Sequence, residues 1–195
     1  MTTSGSGGRE SAPVPLEGAE RDALLALACA AVRAAAHGEP APSLPADLPP
    51  RLCAPAGAFV TLHDRDGLRG CVGSVAPQGS LAELVVRMAV AAATTDPRFR
   101  PLRPEDLAGL RVELSILSVA CPVVLDDLDP RTHGVCLRVG DRGAVLLPQV
   151  AVRHGWDRAT LLAELCGKAD LPAGAWQDPA AVLLAFTAEV VERDV

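Results

Sequence analysis

The segment Leu68-Arg69-Gly70-Cys71-Val72-Gly73-Ser74 sets a thiol between two glycines, directly after the turn Asp64-Arg65-Asp66-Gly67. A strand interior usually rejects glycine, which weakens pairing and packs nothing, so two glycines here suggest a close approach to the backbone. Strand alternation puts Arg69, Cys71 and Gly73 on one face and Leu68, Gly70 and Val72 on the other. Arg69 and Cys71 would then stand about 6.8 Å apart along the strand, within reach of a bending guanidinium. A fixed positive charge favours thiolate, the nucleophilic form of cysteine. The plainer reading is a small buried hydrophobe, the usual fate of a free cysteine.

Other residues qualify as partners for that chemistry. Glu113 points away from the apolar side of its strand, either as a solvated carboxylate or, on a cleft shared with Arg69 and Cys71, as general base or as the orienter of Arg69. Ser115 on the same face offers a hydroxyl. His133 before Gly134 reads as a turn residue, and is the imidazole to test as proton acceptor for Cys71. Asp96 and Arg98 flank Pro97. Asp96 suits turn chemistry with backbone N–H groups, and Arg98 could instead grip a carboxylate or phosphate. Gly70 and Gly73 would let a ligand near the main chain. His63, His37 and His154 read as surface or capping residues, and Trp156 and Trp176 as core anchors.

Elements that would position these groups follow from periodicity. Residues 1–16 read as a flexible tail. Leu24, Leu27, Ala28, Ala31, Val32 and Ala35 recur at helical steps, giving a helix over 17–37 that Gly38 ends. Residues 39–57 form a proline-rich connection. A hairpin pairs Ala58–His63 with Leu68–Val75, and the capping box Ser80-Leu81-Ala82-Glu83 opens a helix to about Thr95, stopped by Asp96-Pro97. A helical turn is expected at Pro104–Leu107. Leu110–Val119 alternates strictly, with Leu110, Val112, Leu114 and Ile116 inward. The grammar then recurs: a strand at Gly134–Val139, a turn at Gly140–Gly143, a return at Ala144–Pro148, a helix over about Asp157–Ala169 and a strand around Leu184–Val190. The expected fold is α+β, with two repeated hairpin/helix/strand units (58–119 and 133–192) sharing one curved, barrel-like, mainly antiparallel sheet covered by helices. Residues 17–195 would then form a single domain.

Bulk properties narrow the function classes. At 195 residues the chain can bury roughly 70% of its unfolded surface. Aromatic residues make up 3%, with no Tyr, so the core must be Ala, Val and Leu. A net charge of −6 and the lack of any Lys/Arg stripe argue against nucleic acid. The start lacks the basic-then-apolar order of a signal peptide, and the apolar run Ala23–Ala36 is too short to span a bilayer. A cytoplasmic protein without a membrane partner is expected, its six cysteines reduced. No Cys-x-x-Cys pair, zinc-ligand spacing or nucleotide loop occurs, so neither metal nor cofactor is expected.

These residues together resemble the AMMECR domain family, whose bacterial and archaeal members are called AmmeMemoRadiSam system protein A. The likeness rests on Leu68–Ser74, extended by Asp96-Pro97-Arg98-Phe99 with Pro101-Leu102, by Val112–Ser118, and by His133-Gly134-Val135. Leu146–Val150, Gly155-Trp156-Asp157, Cys166-Gly167-Lys168-Ala169, Trp176 and Phe186–Val190 complete it in order, over about residues 20–192. Asp170 stands where the family often has glycine, and Thr94 where an aromatic is common. The resemblance implies two repeated strand-and-helix units. It also implies partners, a Memo-type protein (related in fold to extradiol dioxygenases) and a radical S-adenosylmethionine (radical SAM) enzyme, but no established reaction. Two readings stay open: a cleft at Cys71 that binds or transforms a small molecule, and a non-catalytic adaptor of the three-protein system.

Overall fold

A computed structural model of the protein describes residues 15–195. The tail expected over 1–16 lies outside the described residues as far as residue 14, while Leu16 is buried and its amide donates to Glu189. The described chain forms two compact units, 15–119 with Ala188–Val195, and Ala120–Thr187.

The first unit opens with α1 (Gly18–His37), which the reciprocal Glu17–Glu20 capping box starts and Gly38, left-handed at φ 71°, ends. After the proline-rich connection and the short α2 (Pro50–Cys53), β1 (Ala58–Asp64) and β2 (Gly67–Ser74) form the expected hairpin. Ser80 and Glu83 cap α3 (Leu81–Thr94), a single 3-10 turn spans Pro104–Leu107, and β3 (Arg111–Leu117) follows.

The second unit holds the two-residue β4 (Cys121–Pro122), β5 (Gly134–Val139) and β6 (Arg142–Leu146). It continues with α4 (Pro148–His154), α5 (Arg158–Lys168) and β7 (Val182–Phe186). The chain ends with β8 (Ala188–Asp194), which belongs to the first unit.

The fold is α+β and antiparallel throughout, as expected, with its strands divided between two four-stranded sheets ordered β2-β1-β3-β8 and β4-β7-β5-β6. Neither closes into a barrel. The repeat is visible in the pairing: β1 lies between its hairpin partner β2 and β3, as β5 lies between β6 and β7. Two expectations shift. The single C-terminal strand is two, because the chain leaves one sheet at Phe186 and joins the other at Ala188. Pro148 does not end a return strand; it sits in the first turn of α4, where its missing N–H costs nothing.

One face of the first sheet carries Val60, Leu62, Val112, Leu114, Ile116 and Val191, buried in one core with α1 and α3. Their alternation along β1 and β3 is why these segments pair as strands. The second unit buries Val135, Leu137 and Ala185 with Leu161, Leu162 and Leu165 of α5.

Candidate functional site

Across the first sheet, Cys71 of β2 stands opposite Thr61 of β1, which stands opposite Glu113 of β3. Directly paired residues share a face, so Cys71 and Glu113 lie on the same side, two strands and about 10 Å apart. Thr61 fills the gap: its hydroxyl donates to the Cys71 sulfur at 3.4 Å. One row along, Gly73, Phe59 and Ser115 are in register, with Ser115 fully buried. Cys71 itself is half-buried.

Both glycines have steric work. A methyl on Gly70 would run into the Ala92 carbonyl of α3, and one on Gly73 into the Phe59 ring. The close approach expected from the sequence is therefore that of the protein's own helix and ring.

Because β2 is an edge strand, its outward backbone groups lack a neighbouring strand. At Cys71 the Asp96-Pro97-Arg98 turn supplies the missing partners. The Cys71 amide donates to Asp96 Oδ2 at 2.8 Å, and its carbonyl accepts from Arg98 Nη2 at 3.4 Å. Asp96 is 4% exposed and accepts from Arg98 through Nη2 at 2.7 Å, Nε at 3.0 Å and the backbone amide at 3.1 Å. The Arg98 guanidinium, against the desolvation cost, holds the Asp96 carboxyl well below the usual carboxylate range, helped by the Cys71 amide. Conversely, Arg98 is raised above its ordinary value, first by Asp96 and to a smaller degree by the Cys71 thiol. The guanidinium that reaches the Cys71 peptide is thus that of Arg98.

Arg69 is placed elsewhere. The β1–β2 register slips between Leu62, opposite Gly70, and His63, opposite Leu68, so Arg69 is the extra residue of a bulge. Simple alternation fails there. Its Nη2 lies 3.8 Å from Asp106 Oδ2 and its guanidinium 5.9 Å from the centre of the Phe99 ring, with both Nη atoms buried and lacking a hydrogen bond. Asp106 is engaged by Arg100 at 2.7 Å to each oxygen and by the Arg103 amide. These contacts, Arg100 foremost, bring its pKa down to about 2.

Glu113 meets His63, with 3.6 Å between Oε2 and Nε2. His63 was expected at the surface; on β1 it follows Thr61 at a two-residue step, and that spacing was the available signal. His133 belongs to the unit of Ala120–Thr187, where its Nδ1 accepts the Asp129 amide at 3.0 Å. The structure thus brings Cys71, Asp96 and Arg98 into direct contact, adds Thr61, and places Gly73, Glu113 and Ser115 on the same sheet face. Among the described residues no cluster of three or more His, Cys, Asp or Glu could hold a metal, and no helix is long and apolar enough to cross a membrane.

The chain belongs to the AMMECR1 family, whose model matches residues 25–191. It is 40% identical over 161 residues to a protein of Thermococcus gammatolerans, covering 77% of this chain and 78% of that one. A Methanothermobacter thermautotrophicus protein is 35% identical over 189 residues, covering 92% and 97%. A crystal structure of the uncharacterised protein PH0010 from Pyrococcus horikoshii superimposes with a TM-score of 0.86 at 32% identity, covering 92% of this chain and 94% of that one.

Proposed function

We propose that this AMMECR1-family protein binds or transforms a small molecule at the Cys71 thiol, acting with a Memo-type protein and a radical SAM enzyme. The observation that carries the reading is the clamp itself. Asp96 and Arg98 bond the Cys71 peptide on both sides, which fixes the backbone that carries a half-buried thiol. Orientation of this kind is what a nucleophile needs, since pre-set geometry removes entropy from the reacting step. Thr61 supplies a hydrogen bond to the sulfur. The partners follow from the family resemblance and add no residue to the site.

The test is to purify the chain from cells that also make the two partners and to measure intact mass and tryptic maps. A mass adduct, or a copurifying small molecule, is expected on wild type and absent from Cys71→Ser, with loss of the three-protein system's product. Unmodified Cys71, and full system activity in Cys71→Ser, would leave a non-catalytic adaptor in place of this reading.

A further inference from the structure

The β1–β2 turn and the 3-10 turn at Pro104–Leu107 wall a cavity of about 350 Å³, lined chiefly by Asp64, Arg65, Asp66, Arg69, Glu105 and Asp106. We infer that this cavity binds a small zwitterion of the amino-acid class, its carboxylate on Arg65 and Arg69 and its ammonium on Asp64, Asp66 and Glu105. The inference goes beyond the Cys71 reading and uses none of its groups.

Arg69 supplies the observation. Its side chain is 11% exposed, and neither Nη atom has a hydrogen bond. Asp106 does not serve it: Oδ2 lies 3.8 Å from Nη2, too far for a hydrogen bond. The Asp106 oxygens are already taken by Arg100 and by the Arg103 amide. A buried donor without an acceptor carries its desolvation penalty in full, so Arg69 calls for an acceptor from outside the chain. Because Arg69 lines the cavity, a turn of its long side chain brings both Nη atoms to a guest oxygen and relieves that penalty. Arg65 stands ready beside it. It is exposed, has no hydrogen bond or ion pair among the described residues, and extends from the hairpin turn to Gly109, where an added methyl would meet its Nε at 3.5 Å.

The surrounding charges select the ligand. Arg65, Arg69, Arg100 and Arg103 balance Asp64, Asp66, Glu105 and Asp106, so neither a net anion nor a net cation is drawn in by the field. Acceptors for an ammonium are open on the same walls. Asp64 gives Oδ1 to the Asp66 amide and keeps Oδ2, the Asp66 carboxylate has no partner among the described residues, and Glu105 is 65% exposed with Arg103 3.9 Å away. The volume suits a ligand of amino-acid size, at the small end of ligand pockets.

The test titrates the ¹⁵N-labelled wild-type chain with glycine, β-alanine and γ-aminobutyrate, and with acetate and methylammonium at matched ionic strength. Shifts of the amides of 64–69 and 105–108 are followed by NMR. At least one amino acid should shift these amides to saturation, and acetate and methylammonium should each bind about tenfold more weakly, the scale of one charge-assisted hydrogen bond. Arg69→Met should weaken the amino acid by about tenfold or more while its ligand-free urea midpoint equals or exceeds that of wild type, since an apolar chain replaces a buried, unbonded guanidinium. Arg65→Gln, at an exposed position, should weaken binding with the midpoint unchanged. No saturation by any of the three amino acids leaves water as the partner of Arg69 and overturns the site. Acetate binding as tightly as the amino acids overturns the zwitterion assignment, and a midpoint of Arg69→Met well below wild type overturns the premise that Arg69 lacks partners.

Discussion

Asp96 Oδ2 accepts the Cys71 amide at 2.8 Å across 25 residues of chain, so the carboxylate that ends α3 also completes the edge of β2. Two segments that the sequence shows apart, Arg69-Gly70-Cys71 and Asp96-Pro97-Arg98, are one structural device. Replacing the acceptor should show what it holds. Asp96→Asn keeps the size of the side chain but loses a charge-assisted acceptor, worth about 1.5–3 kcal/mol at a buried site. The urea midpoint should fall accordingly, with faster amide exchange at Cys71 seen by mass spectrometry.

The same carboxylate makes stability depend on acid. Its folded-state pKa lies below the unfolded value of about 3.9, so over the acid range the unfolded chain binds more protons and stability rises with pH. The contribution is complete above about pH 5 and is lost progressively as pH falls below about 4. Asp106, brought to about 2 chiefly by Arg100, acts in the same direction. Urea titrations from pH 7 to pH 2.5 should show a steep loss of stability in wild type and a shallower one in Asp96→Asn.

At Gly70 the backbone of α3 leaves no room for a side chain. Gly70→Ala should cost about 1–3 kcal/mol by overpacking, measured by chemical unfolding, because a carbonyl of a helix gives way less easily than a side-chain tip. A neutral result would mean that α3 can slide away from β2.

Asp170 adopts φ 55°, the left-handed region where glycine is at ease. Its carboxylate, 96% exposed, pairs with Arg142 at 3.2 Å, a contact of small worth. Asp170→Gly should therefore raise stability by about 0.5–1 kcal/mol through relief of the backbone, readable as a higher urea midpoint.

The hairpin, α3 and β3 were legible in the sequence because their signals are local: the turn at Asp64–Gly67, the Ser80–Glu83 box, and the alternation through Val112, Leu114 and Ile116. The bulge at Arg69 was not, because a single unpaired residue leaves the hydrophobic pattern on either side intact while cancelling the parity that linked Arg69 to Cys71. Arg98 as the guanidinium on the Cys71 carbonyl was also hidden, since that contact spans 27 residues and no spacing rule connects a turn to a strand edge. The division of the strands into two sheets turns on Thr187 between β7 and β8, where no glycine or proline marks the change. α4 carried signals that were outweighed, Pro148 at its start and Gly155, at φ 64°, at its end.

The most direct test of the account is the rate at which iodoacetamide alkylates each of the six cysteines of the wild-type chain at one pH, followed by peptide mapping. Cys71 should react faster than exposed Cys53 and long before buried Cys29 and Cys166, and its lead over Cys53 should shrink in Arg98→Gln. A Cys71 as slow as Cys29 and Cys166 in the folded protein would contradict a working thiol at the clamped edge of β2.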